Sequence, residues 1–239
     1  MDLRPFAEKI PGSLIMSNER INADFSQRIV IATEEMPWVP SPQAGVERRM
    51  LDRIGGEVAR ATSLVRYAKA SSFPAHEHAL GEEFLVLNGV FSDEHGDYPA
   101  GTYVRNPPLS RHTPHTAPGC TIFVKLRQMP PTETDRIVVD TSTAAWNAAA
   151  RPGLTRLPLH EVGGGESVAM ERLAPGAVLA EMDCPGGEEI LILTGDLNDR
   201  HARYGPGTWI RNPAGFRRAL ASVGGATYWV KRGHLRPLP

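Results

Sequence analysis

The chain has two cysteines in 239 residues, Cys120 and Cys184, and no Cys-x-x-Cys pair, so neither a disulfide framework nor a thiolate metal motif organises it. Both cysteines fall in or beside apolar, strand-like runs, where the residue serves as a small buried hydrophobe. No stretch approaches the roughly 18 consecutive apolar residues of a membrane span, and the N-terminus lacks the basic-then-apolar pattern of a secretory signal. A soluble protein of the reducing cytoplasm is expected. An excess of one charge is also missing: 26 Lys and Arg face 27 Asp and Glu, and no basic run is longer than a pair such as Arg48-Arg49 or Arg217-Arg218. Such a chain has no electrostatic footprint for nucleic acid. Helical periodicity is scarce, residues 141–150 being the best and weakly patterned candidate.

What the chain does have is a copy of itself. Residues 81–125 reappear without a gap as 187–231, and Ile29-Val30-Ile31-Ala32-Thr33 answers to Ile137-Val138-Val139-Asp140-Thr141. Trp38 and Gly45 answer to Trp146 and Gly153. Two units of about a hundred residues follow, 29–126 and 137–239. Residues 127–136, with Pro130-Pro131 and a polar run, read as a linker, and 1–28 as an arm without a counterpart. Inside each unit, short apolar runs such as Glu83-Phe84-Leu85-Val86-Leu87 and Cys120-Thr121-Ile122-Phe123-Val124 are bounded by Gly, Pro, Asp or Asn. This is strand-and-turn composition. The expected fold is all-β, each unit closing on itself or stacking two sheets to protect its edges.

The copies differ where chemistry would sit. The first carries His76, His78, Glu82 and His112; the second has Met182, Cys184, Glu188 and Arg218 at those places. On a strand, His76 and His78 share a face about 7 Å apart, close enough for two imidazoles to lean onto one ion. Glu82 keeps their parity if the strand continues through Gly81, and Glu83 is the alternative if a bulge shifts the register. A third imidazole, His112, would complete four ligands for one divalent metal per chain, and zinc, iron, manganese and nickel are all compatible with such a set. An arginine at the fourth position of the second unit would repel a cation, so that site is expected to be lost, with Arg218 neutralising Glu188. His95 recurs as His201 in matching Asp-x-His turns and reads as structural, as do Arg105 with Arg211 and Asn106-Pro107 with Asn212-Pro213; His115 reads as an exposed loop residue.

The spacing His76-x-His78-x-x-x-Glu82, then Tyr98-Pro99-Ala100-Gly101 and His112, resembles the paired motifs of the cupin superfamily. More narrowly, the run from Gly81 to Pro108 with His112-Thr113-Pro114 resembles the cupin-like domain of ChrR, an anti-sigma factor. The resemblance implies two tandem cupin-type jelly-roll barrels, a bicupin, with zinc held by His76, His78, Glu82 and His112. It also implies a regulatory or sensory protein with a small-molecule ligand and a sigma factor as partner. The separate sigma-binding domain of that family carries a Cys-x-x-Cys pair that this chain lacks, and residues 1–28 are too short to hold such a domain. The same subfamily includes metal-dependent dioxygenases of small hydroxylated aromatic ketones, which is the enzymatic alternative; fold alone does not choose. A monomer with an internal pseudo-dimer, or a homodimer, is expected.

Overall fold

The structure, a computed structural model, describes residues 19–161 and 165–235. It is all-β: the one helical piece among the described residues is the 3-10 turn Thr33–Glu35. The larger sheet runs Arg20–Ile21, Val46–Ile54, Arg60–Tyr67, Cys120–Leu126, Glu82–Asp93, Thr102–Asn106, Ile137–Asp140. Its counterpart runs Asn147–Ala148, Leu154–Glu161, Ser167–Leu173, Ala226–Arg232, Glu188–Gly195, Thr208–Asn212, Ile29–Ala32. A small antiparallel pair, His76–His78 with Ser110–His112, belongs to the first jelly roll, and Val178–Cys184 with Phe216–Ala221 to the second.

Three cores result, and strand alternation sorts side chains among them. Phe84, Val86, Val104, Ile122 and Val124 fill the first barrel, and Ile190, Ile192, Ile210, Tyr228 and Val230 the second. The intervening residues Leu85, Tyr103 and Phe123 face the other large sheet and meet Leu191, Trp209 and Trp229 in a shared core. Phe123 and Trp229 stack edge to face at 4.9 Å between ring centres. Because both faces of the central strands are buried, they read as unbroken apolar runs rather than alternating ones.

Two lysines cross this shared core reciprocally. Lys125 lies 2.7 Å from Glu189, and Lys231 lies 2.5 Å from Glu83, all four fully buried. The outer strands are exchanged as well. Ile29–Ala32 pairs with Thr208–Asn212, and Ile137–Asp140 with Thr102–Asn106, so the leading strand of each repeat completes the sheet of the other. A cut at 127–136 would part each sheet from its edge strand.

Residues 141–150 are not a helix. Asp140 accepts from the backbone N–H and hydroxyl of Ser142 and its carbonyl from Ala144, closing one turn that is not continued. The chain then enters the short strand Asn147–Ala148, and Trp146 is held against Arg172, 3.7 Å from the ring centre. Local capture of backbone donors by an Asp side chain outcompetes a weak helical pattern. Of the arm 1–28, residues 1–18 lie outside the described residues. Beyond them, Arg20–Ile21 pairs with Arg53–Ile54, and Phe25 packs on Arg60 and Arg211. Cys120 and Cys184 are separate, buried thiols. Burial pushes the first up to about 11; burial and then Glu188 push the second to about 12.

Candidate metal centre

The pair His76–His78 and Ser110–His112 sets the site through its register. His76 stands directly opposite His112, and His78 opposite Ser110, which puts all three imidazoles on one face. Their ring centres are 4.6, 5.0 and 4.8 Å apart, and one nitrogen from each lies within 4.8 Å of the others. Glu82 arrives by a route other than strand continuity. The strand ends at His78, a turn is closed by the Gly81 N–H on the His78 carbonyl, and the long strand starts at Glu82 facing the barrel interior. Gly81 sits at φ +73°, and a Cβ there would strike the Met129 side chain, so the turn requires glycine.

Glu82 Oε2 is 3.4 Å from His78 Nε2 and 3.5 Å from His112 Nε2, and the two nitrogens are 2.9 Å apart. Donors around a tetrahedral ion with bonds of about 2.0–2.1 Å stand about 3.3 Å from one another, so this set fits a divalent cation with small adjustment. Glu83 points the other way, into the shared core, where Arg105, Lys231 and the Tyr103 hydroxyl hold it.

The outer nitrogens orient the rings. His76 Nδ1 is 2.9 Å from the Pro74 carbonyl, and His112 Nδ1 is 3.2 Å from Asp93 Oδ2. Each contact turns Nε2 toward the centre. Asp93 is in turn bonded by the Tyr98 hydroxyl and the His95 backbone N–H, while Asn106 donates to Glu82 at 3.2 Å and receives Arg136 at 3.1 Å. Arg136 precedes the exchanged strand, so the second repeat helps to fix the site of the first.

Charge follows geometry. Burial works against the Glu82 carboxylate, but the three imidazoles and Asn106 outweigh it and hold its pKa below the usual range. Burial dominates at His78 and lowers its pKa; at His112 it is outweighed by Glu82 and Asp93, which raise it. Burial likewise opposes ionised Asp93, yet the His112, His95 and Tyr98 bonds bring it down to about 2.

In the second repeat the same frame is filled differently. Met182 stands opposite Arg218, and Arg218 Nε lies 2.6 Å from Glu188 Oε1. Arg232 reaches the other oxygen at 3.1 Å and also grips Glu171. Two guanidinium groups occupy the place of an ion. Asp199 accepts from the His201 backbone N–H as Asp93 does from His95, so the aspartate makes both turns, and the His201 ring only accepts from the neighbouring exposed Arg200. His115 faces solvent beside the Thr113 carbonyl. The role of Asp93 is absent from the sequence reading, because an identical turn aspartate in the repeat without histidines marks it as scaffold.

The sequence profile of the ChrR cupin-like domain matches residues 26–130 and, again, 134–236. The chain belongs to this cupin family. No curated protein matches it in sequence. Among solved structures, a candidate dioxygenase from Nostoc punctiforme superposes with a TM-score of 0.74 at 16% identity, covering 89% of this chain and 85% of that one. Ylba from E. coli does so at 0.68 and 17%, covering 94% and 98%. A B. subtilis oxalate decarboxylase variant does so at 0.58 and 10%, covering 86% and 77%. At these identities the likeness is one of fold, and it makes the molecule a bicupin.

Proposed function

We propose that this bicupin binds one divalent metal, zinc in the first instance, through His76, His78, Glu82 and His112, and that a small molecule meeting the metal makes the chain a sensory or regulatory protein. One observation carries the reading: two of the four donors, His76 and Glu82, stand in the wall of a cavity of about 90 Å³ in the first barrel, while the second barrel is filled at the same positions by the Arg218–Glu188 and Arg232–Glu171 pairs. A structural staple needs no adjoining space; a binding site does. An ion held by these four residues would supply Lewis acidity, or redox capacity if it were iron or manganese rather than zinc. The membership in the ChrR cupin-like family favours regulation, with a protein partner, a sigma factor among the candidates, that reads the pocket. The proposal places the chain in the cytoplasm, where its two buried thiols stay reduced, as a monomer or homodimer.

The cavity beside the metal also favours a second reading, a metal-dependent dioxygenase acting on a small hydroxylated aromatic ketone. Metal identity and oxygen uptake separate the two. Zinc in the purified protein, with no oxygen consumed when an aromatic hydroxyketone is added to zinc- or iron-loaded chain, supports the regulator; iron with ketone-dependent oxygen uptake overturns it in favour of the enzyme.

A further inference from the structure

The cavity has an arginine pair that the second repeat cancels. Arg48 and Arg53 both line it, although their numbers differ in parity and a regular strand would point them to opposite faces. A bulge between Met50 and Asp52 shifts the register against Arg60–Tyr67 and brings Arg53 round to the side of Arg48. The second repeat has the same bulge, between Pro158 and His160. There the equivalent residues, matched through the ladder, are Arg156 and Glu161, of opposite charge and paired with each other at 2.8 Å. The repeat with the histidines thus carries two cations where the repeat without them carries an ion pair.

The walls differ in the same sense. Val65, Ile122 and Leu126 line the first cavity; their ladder equivalents Glu171, Tyr228 and Arg232 are larger and bonded to one another. Space and positive charge appear together in one barrel only. Two carboxylates share the cavity wall with the arginines: Glu82, which is turned to the His78 and His112 imidazoles, and Glu57, 3.4 Å from Arg48; the Glu57 side chain and that of Glu19, 3.3 Å from Arg53, are 62% and 48% exposed, where water screens them. Arg53 itself is buried and braced on the Gly55 and Gly56 carbonyls, which fixes its direction.

We infer that the first barrel takes a small organic anion, its carboxylate received by Arg48 and Arg53 and the rest of the molecule directed toward the histidine–glutamate centre. This rests on the reading of that cavity as a small-molecule site. Guanidinium groups suit a planar carboxylate, and the cavity's apolar walls admit only a short carbon skeleton. Neutral hydroxyketones would leave the pair unmatched.

Calorimetric titration of the full chain with glycolate and with its neutral amide, glycolamide, tests this in metal-loaded and metal-free protein. Glycolate is expected to bind about tenfold or more tightly than glycolamide, the margin of a hydrogen-bonded charge. Arg53→Glu, which recreates the second repeat's ion pair, should remove that preference while metal content stays unchanged; Arg48→Gln should do the same if Arg53→Glu fails to fold. Equal affinity for the two compounds, no binding of glycolate, or a preference that survives both substitutions overturns the anion inference. Equal affinity leaves the small-molecule site standing; failure of the protein to take up metal, with glycolate still preferred, sinks the metal reading and not this one. Inorganic phosphate displacing glycolate through the same arginines, with glycolate otherwise weaker, would show an adventitious oxyanion subsite and also overturns it.

Discussion

Replacing Asp93 by Asn changes one atom and should weaken metal binding by about 10- to 100-fold. Proton positions set the effect. Asp93 Oδ1 already accepts from the Tyr98 hydroxyl and the His95 N–H, at 2.9 and 2.8 Å, so the amide oxygen of an asparagine would stay there and its NH2 would face His112 Nδ1. The Oδ2 that now faces that nitrogen at 3.2 Å would be gone. An NH2 opposite Nδ1 favours the tautomer in which Nδ1 accepts and Nε2 carries the proton, and a protonated Nε2 cannot coordinate. Turning the amide over restores an acceptor for the ring but breaks the two bonds at the other oxygen. Either way about one charge-assisted hydrogen bond, 1.5–3 kcal/mol, is lost from the bound state. Competition with a chromophoric chelator at pH 7.5 measures the effect. Glu77→Gln is the control: Glu77 shares the strand with His76 and His78 yet pairs with exposed Arg111. An Asp93→Asn chain that folds normally and binds within about twofold of wild type would refute this role for Asp93.

Removal of one side of the crossed lysine pairs should destabilise the whole molecule, because both barrels depend on the shared core. Lys231→Met leaves Glu83 buried with Arg105 and the Tyr103 hydroxyl, takes a partner from Glu166 as well, and should cost about 3 kcal/mol in chemical denaturation, with part of it recovered in Lys231→Met with Glu83→Gln; a loss under about 1 kcal/mol would contradict the assignment. Burial brings His234 down to about 4 against the pull of Glu189, so the native state binds fewer protons than the unfolded chain below pH 6.5. Stability from this group is therefore present above about 6.5 and lost as pH falls toward 4, about 3 kcal/mol in total. Metal-free His234→Gln should lack that share of the pH dependence in denaturation at pH 7 and 4.5. Metal itself should leave as the solution is acidified from about pH 6 to 5, since imidazoles coordinate only when neutral; an ion still bound well below pH 5 in equilibrium dialysis would mean other ligands.

The all-β class was readable in the sequence, and the duplication supplied its own control for the candidate site: residues kept in both copies build the frame, and the histidines that stand out in one copy are brought together by it. Glu82 was placed by parity, yet it comes beside His78 and His112 through a turn at Gly81 rather than by strand continuity. The exchange of edge strands was not readable. Ile29–Ala32 had two possible partners, Thr102-Tyr103-Val104-Arg105-Asn106 and Thr208-Trp209-Ile210-Arg211-Asn212, which present nearly the same apolar and polar alternation. Only the packing of the two large sheets selects between them. The arginine pair escaped notice for a related reason: Arg48 and Arg53 share a face only through a bulge, which period-two reasoning does not anticipate.

Metal content of the chain, purified without chelator or affinity metal and measured by elemental analysis beside His112→Ala, tests the central claim most directly. The account predicts one divalent ion per wild-type chain and none in the variant. Two ions per chain, or an ion retained when His112 is gone, would contradict it.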